Sequence, residues 1–189
     1  MRVIAGKFRS RPLRSMRGKD VRPTADRLRE TLFDVLTAGN PAAMEGTVWL
    51  DLYAGTGAVG IEALSRGAGT VYFVESSREA AGLVSENLRS LGITEGCQVL
   101  RLDVLRALEE LQSRAVAVDF AFLDPPYRIE EAHLNTLEKL SQASLLKPGS
   151  TVVAEHQKRF DPGDGFGGIK RYRVLEQGDA ALSFYRKRS

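Results

Sequence analysis

The chain has 189 residues, of which 43% are hydrophobic and 27% charged, with a formal net charge of +3. That length and apolar content suit one globular domain able to bury about 70% of its unfolded surface, and they exclude a disordered or fibrous chain. The longest apolar run, Ala115 to Leu123, is interrupted by Asp119, so no stretch reaches the roughly 18 apolar residues that a membrane helix needs.

The charge is unevenly spread. Residues 1–22 hold eight basic residues (Arg2, Lys7, Arg9, Arg11, Arg14, Arg17, Lys19 and Arg22) against Asp20 alone, a balance of +7 that leaves −4 for the remainder. A basic arm on a mildly acidic domain suggests a polyanionic partner. Within it, Val3, Ile4 and Leu13 alternate with the cations, which predicts a short strand or hairpin over 2–14 with its basic side chains outward. The plainer alternative is a solvated tail that only aids solubility. The arm is followed by no apolar segment of the secretory kind. Cys97 is the one cysteine and has no internal disulfide partner; in a strand-like run it reads as a buried thiol, so the expected compartment is the cytoplasm. His133 and His156 lie far apart without metal-ligand spacing. They read as surface or supporting residues, and no metal is expected.

Pro23 opens a helix expected from Thr24 to about Ala38, with Leu28, Leu32, Val35 and Leu36 on one face, Thr24 as its cap, and a stop at Gly39-Asn40-Pro41. Arg22, Arg27 and Arg29 gather at its start; they suit an anionic group, or are simply solvated. From residue 47 the pattern alternates. Strand-like runs are 47–52, 70–75, 98–102, 118–124 and 151–155, and helical runs are 58–66, 77–91, 103–112 and 129–141. The strands are apolar with little alternation, as in a parallel sheet covered on both faces. The expected fold is therefore α/β, a doubly wound, Rossmann-like, mostly parallel sheet. Trp49 belongs to its core. Lys147-Pro148-Gly149-Ser150 reads as a turn and 161–168 as a glycine-rich loop. Lys170–Val174 and Ala181–Tyr185 read as a C-terminal antiparallel hairpin around Gly178-Asp179. The expected division is a basic arm, 1–22, and one domain, 23–189.

The segment Asp51-Leu52-Tyr53-Ala54-Gly55-Thr56-Gly57-Ala58-Val59-Gly60 joins the first strand to the next helix. Gly55 permits positive φ, Gly57 a close approach of backbone to ligand, and Gly60 a close approach of helix to strand. The same spacing serves nicotinamide dinucleotides, and a glycine turn that merely suits packing is also possible. Asp51 favours another ligand. A carboxylate here repels a pyrophosphate and attracts the ammonium and sulfonium of S-adenosylmethionine. Acids also end the next three strands. Glu75 is placed to accept ribose hydroxyls, Asp103 to accept from an adenine amino group, and Asp124 opens a second motif.

That motif is Asp124-Pro125-Pro126-Tyr127. Two prolines lack N–H donors and have fixed φ, so the segment offers carbonyl acceptors at a rigid angle beside a carboxylate and a phenol ring. A rigid turn after a strand is the bland reading. The chemical one is that an exocyclic base amine, bonded to Asp124 and to the Pro125 carbonyl, turns its lone pair toward a methyl donor while Tyr127 stacks on the ring.

Asp51–Gly60, Glu75, Asp103 and Asp124–Tyr127 together resemble the amino-directed class I S-adenosylmethionine-dependent methyltransferases. Arg22-Pro23-Thr24-Ala25-Asp26-Arg27-Leu28-Arg29-Glu30-Thr31-Leu32-Phe33, Gly60–Ala68, Arg2–Gly6 and the Gly178-Asp179 and Leu182–Tyr185 ending narrow the resemblance to the RsmD family. It spans nearly the whole chain. It implies methyl transfer to N2 of one guanine of 16S rRNA, presented by a partly assembled small ribosomal subunit. It implies cofactor contacts at Asp51, Tyr53, Ala54, Gly55, Thr56, Gly57, Glu75, Asp103 and Asp124, with Thr24 and Arg27 at the methionyl end. RNA contacts would come from Arg2, Lys7, Arg9, Arg11, Arg14 and Arg22, and the protein is expected to act as a monomer. Ala5 and Ser10 stand where the family usually has glycines, which puts the shape of the arm in question; Tyr53 and Thr56 replace a common Phe and Ser. The rivals are a DNA adenine-N6 methyltransferase, a nicotinamide-dependent oxidoreductase and a noncatalytic RNA-binding assembly factor.

Overall fold

A computed structural model describes residues 1–16, 23–126 and 129–188, with residues 23–25 described through their backbone only. Strands β1 (Val48–Leu52), β2 (Thr70–Val74), β3 (Cys97–Leu100), β4 (Val118–Leu123), β5 (Leu146–Gln157), β6 (Gly165–Phe166), β7 (Ile169–Gln177) and β8 (Ala180–Lys187) form a single sheet in the order β3-β2-β1-β4-β5-β8-β7-β6. The first five strands are parallel, and β8, β7 and β6 continue antiparallel. Helices α1 (Pro23–Leu36), α2 (Ala58–Ser65), α3 (Arg78–Ser90), α4 (Val104–Ser113) and α5 (Glu130–Gln142) precede or connect the parallel strands. The expected Rossmann-like architecture and C-terminal hairpin are both present. Strand order reverses between β1, which pairs β2 on one side, and β4 on the other. Ligands of such sheets bind at that crevice, outside the carboxyl ends of the strands.

Two core layers lie on the two faces of the sheet. Trp49, Phe73, Phe122, Val153 and Leu182 face α1, α2 and α3, while Leu50, Leu52, Leu123 and Ala154 face α4 and α5. Trp49 is fully buried and stacks between Phe33 (5.3 Å) and Phe120 (5.2 Å). Gly60 answers a packing demand, since a Cβ there would lie 2.4 Å from the Phe73 ring.

Several expectations need correction. Lys147–Ser150 is not a free turn but lies inside β5 as a wide bulge. Val118 pairs Leu146 and Phe120 pairs Thr151, so four residues oppose Asp119 alone. Gly149 takes φ 79° there, and Lys147 Nζ binds both Asp119 carboxylate oxygens, at 2.9 and 2.8 Å. The 161–168 loop contains β6 and is held by Arg171, which pairs with both Asp161 and Asp164. Cys97 is half-buried rather than buried. The two histidines are not surface residues. His133 and His156 are both buried, with Phe160 against both rings.

The N-terminal segment forms the expected hairpin. Arg2 bridges Pro12, Val3 N–H donates to the Arg11 carbonyl, and Leu13 N–H donates to the Met1 carbonyl. Val3 and Leu13 are buried in the same layer as Trp49, and Arg2, Lys7, Arg9, Arg11 and Arg14 are exposed. Ser10, one of the two departures from glycine, adopts φ 66°, a left-handed conformation that favours glycine. The hairpin is fixed to α2 by Glu62, which is fully buried and accepts from Ile4 N–H (2.8 Å), Ala5 N–H (2.9 Å) and Arg66 Nε (2.8 Å). Arg29 Nε lies 3.8 Å from the same carboxylate, and Arg29 Nη2 donates to the Arg2 carbonyl at 2.6 Å. Glu62→Ala should lower unfolding stability by about 3 kcal/mol or more, because two backbone donors and Arg66 lose their shared acceptor and the buried Arg29 loses a nearby opposite charge. Urea unfolding measures it, and a loss below about 1 kcal/mol would contradict this role.

Candidate active site

A cavity of about 360 Å³ opens at the carboxyl ends of β1 and β4. Its walls include Asp51, Tyr53, Ala54, Gly55 and Thr56 from the glycine turn, Phe122 and Asp124 from the end of β4, and Glu155 and Leu182 from β5 and β8. The N-terminal segment and α1 close the other side through Met1, Ser15, Met16, Leu28, Arg29 and Leu32.

The glycine turn is built as its sequence requires. Gly55 takes φ 56° and Gly57 φ 76°, the latter capping α2. Tyr53 also takes a positive φ of 60°, and its hydroxyl lies 2.9 Å from Thr136 Oγ1 on α5. Asp51 is buried and accepts from Gly60 N–H at 2.9 Å, which ties the strand end to the first turn of α2. Glu75 accepts from Gly55 N–H (3.0 Å) and Ser77 N–H (2.8 Å) on the outer side of the turn. Asp103 is exposed and caps α4 by accepting from Leu105 N–H at 2.9 Å.

The expected residues thus divide by location. Asp51, Tyr53, Ala54, Gly55, Thr56 and Asp124 share the cavity. Glu75 and Asp103, just past the ends of the neighbouring β2 and β3, are not among its walls. Gly57 does not face the cavity. A Cβ there would lie 3.0 Å from Val84 and 3.4 Å from Phe73, so its small size and positive φ also answer a packing demand. Arg27 is exposed on α1, and Arg29 stands in the cavity wall instead. Pro125 is buried and Pro126 exposed; the Pro126 carbonyl accepts from Ile129 N–H at 3.0 Å. Tyr127, Arg22 and the side chain of Thr24 lie outside the described residues.

Sequence reasoning missed the residues that join the arm to the turn. Asn87 on α3 is fully buried; its Oδ1 accepts from Arg14 N–H (2.8 Å), and its Nδ2 donates to the Arg14 carbonyl (3.2 Å) and to the Thr56 carbonyl (2.9 Å). One amide therefore holds the basic hairpin and the glycine turn together. Glu155, which lies two residues before the end of β5 and lines the cavity, was also missed.

Burial pushes the Asp51 carboxyl up to about 7; the Gly60 hydrogen bond opposes that rise, and the nearby Glu75 charge adds to it. A cationic group placed against Asp51 relieves the desolvation and favours the ionised form.

Comparison with known proteins agrees with this geometry. The family described as "Conserved hypothetical protein 95" matches residues 1–186. The chain belongs to that family, the RsmD family expected from its motifs. It is 34% identical to the Bacillus subtilis (strain 168) protein YlbH over 188 residues, 100% of both chains. It is 34% identical over 159 residues to the Haemophilus influenzae protein named ribosomal RNA small subunit methyltransferase D, covering 84% of this chain and 79% of that one. The solved structure of the Escherichia coli protein yhhF superposes with a TM-score of 0.80 at 25% identity, covering 100% of this chain and 98% of the other. Among the described residues, no helix is long and apolar enough to cross a membrane.

The Asp51 carboxyl sets a pH dependence. It is mostly neutral below pH 7 and ionised above, and a bound cation lowers its pKa. Affinity for S-adenosylmethionine should therefore rise about tenfold between pH 5.5 and 7, a window below the titration of the ligand's own ammonium. Asp51→Asn should bind weakly with little pH dependence across that window. Calorimetric titration reads both, and a flat wild-type profile would contradict the assignment.

Proposed function

We propose that the protein transfers a methyl group from S-adenosylmethionine to the exocyclic N2 of a guanine in 16S rRNA, within the small ribosomal subunit. The observation that carries this reading is the placement of Asp51 and Asp124 in one cavity at the switch point of the sheet. The names of the relatives support an rRNA substrate.

In this reading Asp51 and the 53–56 turn hold the methionyl part of the cofactor, and the buried Arg29 guanidinium in the wall faces its carboxylate. Glu75 and Asp103, at the neighbouring strand ends, accept from the ribose hydroxyls and the adenine amine. The cofactor supplies an electrophilic methyl on a cationic sulfur. Asp124 and the Pro125 carbonyl accept the two N–H bonds of the guanine amine, which aims its lone pair at the methyl carbon. The new N–C bond forms as the C–S bond breaks. The electron pair leaves with sulfur, which becomes neutral, and the nitrogen then loses one proton toward the Asp124 carboxylate. Alignment and electrostatics supply the rate, with no covalent enzyme intermediate. The target base must leave its stack to enter such a site, and Tyr127 is the ring placed by sequence to receive it.

The exposed cations of the hairpin suit phosphate contacts. Asn87 and Glu62 connect them physically to the cavity. A nicotinamide cofactor fits less well, because its anionic pyrophosphate would keep the buried Asp51 neutral and forgo the ion pair that a cationic ligand makes there.

Asp124→Ala should reduce methyl transfer at least about a hundredfold while retaining cofactor binding. Transfer within threefold of wild type would remove Asp124 from the chemistry. S-adenosylmethionine should raise the melting temperature and NAD should not; the reverse would favour the oxidoreductase reading. Replacing Arg2, Lys7, Arg9 and Arg11 together by Ala should flatten the salt dependence of RNA binding, by about 0.7 to 0.9 in log–log slope for each phosphate no longer neutralised. An unchanged slope would return the hairpin to a structural element without a role in RNA binding.

A further inference from the structure

We infer that Glu155 selects guanine, by accepting the N1–H of the base whose N2 is held at Asp124. This rests on the reading of the cavity as a guanine-N2 methyltransferase site.

The sheet places the two carboxylates side by side. Leu123 of β4 pairs with Ala154 of β5 in parallel register, so the next residues, Asp124 just past the end of β4 and Glu155 two residues before the end of β5, lie on neighbouring backbones about 4.8 Å apart. Side chains alternate along a strand. Leu123 and Ala154 belong to the α4–α5 layer, whereas Phe122 and Val153 belong to the opposite one. Asp124 and Glu155 therefore project to the opposite face with Phe122 and Val153, and both line the cavity. Asp51 reaches the same cavity from β1.

Guanine presents N1–H and N2–H donors next to each other on its Watson–Crick edge. Two neighbouring carboxylates are complementary to that pair of donors. Adenine offers an acceptor at N1, which would meet Glu155 as a repulsive contact. Acceptance of N1–H also pushes electron density into the ring and toward the N2 amine.

The Glu155 backbone is held in place. His133 Nε2 lies 2.8 Å from the Glu155 carbonyl, and the adjacent His156 bridges the Gln157 carbonyl (2.9 Å) and Ser183 Oγ on β8 (2.9 Å). The two buried histidines thus fix the strand end that carries the carboxylate. No local motif singles out Glu155, because its neighbour His156 draws attention and its partner Asp124 lies 31 positions earlier.

The test uses the wild-type protein and Glu155→Gln on substrate RNA carrying either guanine or 2-aminopurine at the target position. 2-Aminopurine keeps the amine but has an acceptor at N1. Wild type should methylate guanine about 10- to 100-fold faster than 2-aminopurine. Glu155→Gln can donate its amide N–H to the 2-aminopurine N1, so the ratio should collapse to within about threefold of unity while affinity for S-adenosylmethionine stays unchanged. Equal wild-type rates on the two bases would overturn the inference without any variant. So would a variant that transfers more slowly but keeps the wild-type ratio. Those results leave the methyltransferase reading intact as long as wild type places label on guanine N2; absence of that label would overturn both.

Discussion

The buried carboxylate of Glu62 is the contact on which the geometry of the site depends. A charge with no exposure to water is stable only when surrounded by donors. Here the donors are the Ile4 and Ala5 amides and Arg66 one turn along α2, and the Arg29 guanidinium of α1 adds an opposite charge at 3.8 Å. Satisfying one acid therefore assembles the N-terminal hairpin, the entry helix and the helix after the glycine turn into one unit. The cavity lies where they meet, with Met1 and Arg29 in its wall opposite Asp51 and Asp124. Packing reinforces the arrangement. Gly6 takes φ 78°, and a Cβ there would lie 1.8 Å from the Ser65 carbonyl oxygen.

This architecture joins the basic hairpin directly to the glycine turn. The cations that suit RNA sit on a hairpin whose backbone at Arg14 is bonded to Asn87, and the same amide donates to the Thr56 carbonyl in the turn. The acids serve different purposes according to burial. Asp51 is dry and holds its proton up to about pH 7, ready to be ionised by a cationic ligand. Asp103 is exposed and caps a helix. Asp124, just past β4, and Glu155, near the end of the neighbouring β5, share one cavity.

Much of this was legible in the sequence because it is local. Strands and helices from residue 47 follow apolar periodicity, and the strand-end acids mark the ligand side of the sheet. Gly55 and Gly60 stand where a turn and a close helix approach require them. What was not legible depends on distant partners. Nothing near Asn87 indicates that it will meet Arg14 and Thr56, and Glu62 reads as an ordinary helical acid until the hairpin folds onto it. Lys147–Ser150 carries true turn chemistry, yet Asp119 on the neighbouring strand draws Lys147 in and converts the turn into a bulge. His133 and His156 were misplaced for the same reason, since their hydrogen bonds to Glu155, Gln157 and Ser183 cover them in the interior.

The proposed reaction is the transfer of a methyl group to a guanine amine of small-subunit RNA. Its most direct test is incubation of the protein with labelled S-adenosylmethionine and small ribosomal subunits from cells lacking this activity, followed by nucleoside analysis. Label is expected in N2-methylguanosine. Label in a methylated adenosine, or no label from a protein that binds the cofactor, would contradict it.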